Sequence, residues 1–98
     1  MAKLTTVYWR DIPAQVIAKE RRDTAKIVLT ERFAEAIDKA AMRAGMAGTD
    51  AYLEQWRREV VNCGHDLQAA VDEAAKELEK AFDDERLATL VKNGGNAG

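Results

Sequence analysis

The apolar residues of this chain change their period at Thr30. Before it, Leu4/Thr6/Tyr8 and Thr5/Val7/Trp9 alternate along a segment dense in β-branched and aromatic residues. After it, Phe33, Ile37, Ala40, Ala41 and Ala44 follow the spacing of one helix face. A period of two cannot sit on a helix, and a period of about 3.6 cannot hold one face of a strand against a core. The chain is therefore read as α+β, a small antiparallel sheet of two to three strands followed by three to four helices.

Within the first part, Leu4 to Trp9 forms a strand with both faces at least partly covered. Pro13 removes a backbone donor and biases Ile12 away from helical angles, so Arg10-Asp11-Ile12-Pro13 is a turn or an edge bulge. Ala14 to Glu20 is a second strand, Arg21 to Thr24 a hairpin loop and Ala25 to Leu29 a third strand. Thr30 caps a helix running to Ala44, with Glu31 favourable in its first turn and Gly45 and Gly48 beyond its end. Thr49 or Asp50 caps a second helix in which Tyr52, Trp56 and Val60 stand four apart. From Trp56 to Cys63 the pattern fits either a helix continuing to Gly64 or an extended stretch at Val60-Val61. Leu67, Val71, Ala74, Ala75, Leu78 and Phe82 define the apolar stripe of a long helix, and Asp83-Asp84-Glu85 caps a last turn carrying Leu87, Leu90 and Val91.

With 98 residues, the chain builds one modest core that buries about 60–65% of its unfolded surface. It is read as one domain over residues 1–92 with a flexible tail over 93–98, whose Asn, Gly and Ala offer no side chain worth burying. No apolar run reaches the roughly 18 residues of a membrane span. Met1 to Thr6 lacks an apolar signal core, so a cytoplasmic location is expected.

A net charge of -2 gives no global field toward nucleic acid or anionic lipid. The charge is polarised along the chain all the same: Lys19, Arg21, Arg22, Lys26 and Arg57-Arg58 precede a segment from Asp66 to Glu85 dominated by acids. Those acids are interleaved with lysines around a solvated helix face, which outweighs a divalent-ion site. Phosphate-cradling glycine loops are absent. Cys63 and His65 invite a nucleophile and base, but no third orienting group accompanies them, and one cysteine with one histidine does not make a zinc site. No catalytic, cofactor or metal residue is assigned.

Recognition is placed instead on the aromatic turn and on the second tryptophan: Trp9, Arg10, Asp11, Pro13 and Gln15, with Trp56 and Arg57. Tryptophan anchors binding sites, and turns on a rigid sheet carry recognition residues. The competing account of each tryptophan is core packing where sheet meets helix. The expected partner is a protein. The alternative is DNA binding by a ribbon-helix-helix unit with its strand at 26–29 and helices at 30–44 and 50–61, flanked by Arg21, Arg22 and Lys26. The net negative charge and the long acidic helix oppose it.

Three stretches carry a resemblance: Tyr8-Trp9-Arg10-Asp11-Ile12-Pro13-Ala14-Gln15-Val16-Ile17, then Leu29-Thr30-Glu31-Arg32-Phe33 with Ala36-Ile37-Asp38, and Asp50-Ala51-Tyr52-Leu53 with Trp56-Arg57-Arg58. Together they resemble the small bacterial domain family labelled virulence factor, over most of the chain before Cys63. The resemblance implies relatives that are free-standing small proteins, or segments of larger proteins with HEAT-type repeats and a part resembling an iron-sulfur scaffold domain. It implies accessory or scaffolding work and no established catalytic residues. Where the family often has proline after the leucine of the third strand, this chain has Thr30.

Overall fold

The computed structural model describes residues 2–97. The strands are β1 (Ala2–Trp9), β2 (Ile12–Glu20), β3 (Asp23–Val28) and β4 (Trp56–Cys63); the helices are α1 (Glu31–Arg43), α2 (Asp50–Glu54), α3 (Leu67–Ala81) and α4 (Asp84–Lys92). The sheet has four strands in the order β3-β2-β1-β4, every neighbouring pair antiparallel. The α+β class stands, with one strand more than the two to three expected.

Two-residue loops join the first three strands, Arg10-Asp11 and Arg21-Arg22, and each holds its first residue at positive φ, 53° and 56° respectively. Arginine there costs roughly 1–2 kcal/mol relative to a residue without Cβ. Of the turn or edge bulge expected over Arg10–Pro13, the turn is present at Arg10-Asp11, and a bulge lies just past Pro13 on the inner strand β2. Val7 pairs with Gln15 and Tyr8 with Pro13, leaving Ala14 without a partner on β1. The Ala14 carbonyl accepts from the Leu29 N–H at 3.0 Å instead, which turns the chain out of β3 toward α1.

The additional strand replaces most of the expected second helix. Residues 50–54 are helical, capped by the Thr49 hydroxyl, but Trp56 to Cys63 lies extended along the free edge of β1, from Trp9↔Trp56 to Ala2↔Cys63. Two donors from the hairpin end and the free edge of β1 decide this. The Trp9 Nε1 donates to the Tyr52 carbonyl at 2.9 Å, the Arg10 N–H donates to the Gln55 carbonyl at 3.1 Å, and β1 offers a full edge to Val60 and Val61, which favour strands. The carbonyls that would have continued the helix are already occupied. This removes the ribbon-helix-helix unit: its second helix is cut to Asp50–Glu54 by β4, and its strand pairs with β2 of the same chain.

Register sorts the sheet residues between two faces. One carries Leu4, Ala18 and Ala25 in one row and Thr6, Val16 and Ile27 in the next. α3 lies across these rows, burying Val71 and Ala75 against them, and α1 packs on α4 through Phe33, Ala36, Ile37, Ala40, Leu87 and Leu90. Trp9 and Ile12 extend the same core past the end of the sheet. Phe33 and Phe82 meet edge to face at 6.2 Å.

A clamp at the head of α1 holds the helices together. Thr30 sits at the N-cap position but makes no side-chain cap; its N–H and hydroxyl both donate to the Glu79 carboxylate, at 2.8 and 2.9 Å. The Arg32 guanidinium joins the same carboxylate at 3.0 Å and also donates to the Glu79 and Phe82 carbonyls at the end of α3. Burial by itself would raise the Glu79 carboxyl, but the Thr30 and Arg32 donors more than offset it and hold the group below its ordinary value. Asp66 and Asp83 cap α3 and α4 by accepting from the N–H groups of Ala69 and Arg86. Among the described residues, no helix is long and apolar enough to cross a membrane.

The C-terminal residues differ from the free tail expected of them. Gly94 and Gly95 are buried. The Gly94 carbonyl accepts from Arg10 at 2.9 Å, the Gly95 carbonyl from the Asp11 N–H at 2.9 Å, and the Ala97 N–H donates to the Asp11 carboxylate at 2.6 Å. Backbone groups, not side chains, dock this segment, so its composition gave no sign of it.

Candidate functional site

The seven residues read from the sequence as a recognition surface divide in the structure. Trp9 is fully enclosed, its ring stacked on Tyr52 at 5.6 Å between centroids and covered by Gly95. Pro13 is likewise buried, opposite Tyr8. Neither is placed to touch a partner, and both are core. Along β1, Trp9 keeps the side of Lys3, Thr5 and Val7, and it is Tyr52 and Gly95, from elsewhere in the chain, that enclose it, so alternation alone could not choose between Trp9 and Tyr8.

Arg10, Asp11 and Arg57 are spent on one another and on the chain around them. The Arg10 guanidinium reaches Gln55 Oε1 at 3.2 Å, the Gly94 carbonyl and the Met46 sulfur at 3.1 Å. Arg57 donates to the Arg10 carbonyl at 2.7 Å and to Asp11 at 3.0 Å, pairs with Glu59, and lies 4.4 Å over the Tyr8 ring. Its pKa is raised further above the ordinary arginine value, first by the Glu59 hydrogen bond. Tyr8 is raised too, first by burial and then by the Glu59 charge. These contacts lock the hairpin turn to β4 and to the C-terminus.

Three of the seven, Gln15, Trp56 and Arg57, do come together. With Val7 and Arg58 they line a shallow depression of about 300 Å³ at one end of the sheet. Trp56 is half-buried there and meets Tyr52 edge-on at 6.1 Å.

That depression belongs to a larger feature, the sheet face turned away from α3. Its register rows run Val28–Gln15–Val7–Arg58, Lys26–Ile17–Thr5–Val60 and Thr24–Lys19–Lys3–Asn62. Eight of the twelve positions are exposed, as a face without a helix on it requires. Four of them, Lys3, Lys19, Lys26 and Arg58, are cationic, and no carboxylate stands among the twelve. Reading along the sequence could not find this face, because its residues come from four strands and only the pairing of β4 with β1 completes it.

Cys63 and His65 do not form a couple. Cys63 is a half-buried free thiol on a groove lined by Leu4, Ala70, Ala74 and Glu73, whereas the His65 Nδ1 faces the Glu20 carboxylate at 2.7 Å. Among the described residues, no group of three or more His, Cys, Asp or Glu side chains is arranged to hold a metal ion.

No curated protein and no solved structure matches the chain. A family model described as Virulence factor matches residues 7–91, from the last turn-ward residues of β1 into α4, and the chain belongs to that family.

Proposed function

We propose that this virulence factor family domain is a non-catalytic accessory module that docks a protein partner on the open face of its sheet. One observation carries the reading: the sheet face turned away from α3 presents twelve positions over all four strands, eight of them exposed, while α3 covers the opposite face over β2 and β3. A sheet normally buries at least one face and solvates the other with polar residues. Here the open face keeps the half-buried Ile17 together with Val28, 65% exposed, and Val60, 56% exposed. Aliphatic side chains on a rigid, water-facing sheet are what a binding surface offers a partner.

The Arg10–Asp11–Arg57 clamp then has a supporting task. It fixes the end of the sheet, and with it the Gln15/Trp56 depression, so that the face is presented in one shape. Site-specific photocross-linking tests the reading. A photoactivatable residue at Val60 should capture a discrete protein in extracts of the native host, and the same residue at Thr89 on α4 should not. Capture of the same species from both positions, or from Thr89 alone, defeats the assignment of the face.

A further inference from the structure

We infer that the occupant of the open sheet face is an acidic amphipathic helix of another protein. The inference rests on the docking face proposed above and concerns the chemistry of what binds there. The face carries +4 on a chain of net -2, leaving -6 on the rest of the molecule. None of Lys3, Lys19, Lys26 or Arg58 takes part in an ion pair among the described residues; Lys3 donates only to the neutral Asn62, at 2.6 Å. Lys3 and Lys19 stand directly opposite each other on neighbouring strands, an arrangement that destabilises a sheet. A carboxylate at either position would relieve it. The charge therefore opposes the isolated fold and suits an anionic partner.

The rest of the face narrows the class. Ile17, Val28 and Val60 lie among the cations, and the one aromatic bordering them, Trp56 at the start of the β4 row, is half-buried with Tyr52 edge-on against it. A single nucleic-acid strand gains much of its affinity by stacking successive bases on a series of aromatic side chains, and one half-covered ring at the border does not supply that series. A helix with an aliphatic stripe and carboxylates beside it matches both parts of the surface, as α3 matches the other face. Four strands about 4.8 Å apart span roughly 14 Å, the rise of about ten helical residues. The acids of such a helix should therefore stand some three turns apart. The chain's own acidic helix is excluded as occupant because the aliphatic stripe of α3 is committed to the core.

The test uses a stapled 14-residue helical peptide with four leucines on one side and glutamates flanking them, titrated into the intact ¹⁵N-labelled protein. Amide shifts should concentrate at Val7, Gln15, Ile17, Lys26, Arg58 and Val60. Affinity should fall about tenfold in the Lys19→Glu, Lys26→Glu double variant, whose exposed positions leave the core spectrum unchanged. The same peptide with lysine in place of glutamate should bind at least tenfold more weakly. Equal binding of the two peptides overturns the acidic-helix inference, and so does tighter binding of a twelve-nucleotide single strand at these amides, or sedimentation showing that a second copy of the chain covers them. A discrete Val60 cross-link combined with any of those results leaves the docking face standing and removes only its proposed occupant.

Discussion

Replacing Gly95 by alanine is the sharpest test of how the C-terminal segment is built into the molecule. Gly95 has φ +97°, and a Cβ placed on it would lie 2.8 Å from Trp9 Cζ3 and 3.2 Å from Cε3. The indole cannot swing aside, because Tyr52 stacks on it and its Nε1 is bonded to the Tyr52 carbonyl. The left-handed backbone costs alanine roughly 1–2 kcal/mol, and forcing a methyl into a filled site adds ~1–3 kcal/mol. Gly45 supplies the control: its φ is +72°, with nothing within 4 Å of the added Cβ. Gly45→Ala should therefore lose only the backbone part. Urea unfolding followed by tryptophan emission, with the denaturant slope unchanged, should place Gly95→Ala about 1–3 kcal/mol below Gly45→Ala. If the two variants agree within about 0.5 kcal/mol, a typical reproducibility for additive single changes, the Trp9–Gly95 packing is refuted.

The remaining expectations concern the clamp, the turns and a cap. Glu79→Gln should lose about 1–2 kcal/mol near neutral pH, since the charge-assisted donors from Thr30 and Arg32 weaken. Because the folded carboxyl is held below its ordinary value, near 4.5, this stabilisation is complete above that value and disappears as pH falls through the folded pKa. The gap between wild type and variant, measured by chemical denaturation, should therefore narrow as the pH is lowered below that ordinary value. Arg21 and Arg10 share a positive φ, but only Arg10 is tied to other elements. Arg21→Gly should thus be neutral or stabilising by up to about 1 kcal/mol, and Arg10→Gly destabilising; matching thermal shifts for the two would contradict the clamp. Asp66→Ala should cost about 1 kcal/mol by removing the cap on α3, visible as faster amide exchange at Ala69 and Ala70.

Much of this was legible from the residues themselves. The period change at Thr30 marks the passage from sheet to helix, the Arg10–Pro13 segment announces the turn between the first two strands, and Asp66, Asp83 and Thr49 occupy the cap positions they suggest. What eluded the sequence depends on tertiary partners. Tyr52, Trp56 and Val60 have helical spacing, yet Trp56, Arg58 and Val60 are equally a strand face, and only the free edge of β1 decides between them. The recognition residues suffered in the same way. Trp9 and Arg10 carry the chemistry of an exposed anchor, but Gly95 and the Gly94 carbonyl, from the other end of the chain, absorb them. The cations of the open face lie on four strands and become neighbours only through register.

The strand order β3-β2-β1-β4 also constrains how the molecule comes into being. The two hairpins of β1, β2 and β3 close over short loops and can form as soon as residues 2–28 are available. β4 must return from about fifty residues further on, a contact of high sequence separation that forms late. During ribosomal synthesis at ~5–20 residues per second, the stretch from Val28 to Cys63 leaves β1 an open edge for roughly 2–7 s. Throughout this interval Leu4 to Trp9 is a nascent template on which another chain can pair. β1 is thus a point where a newly made chain is exposed to misassembly, and β4 protects it as well as completing the sheet.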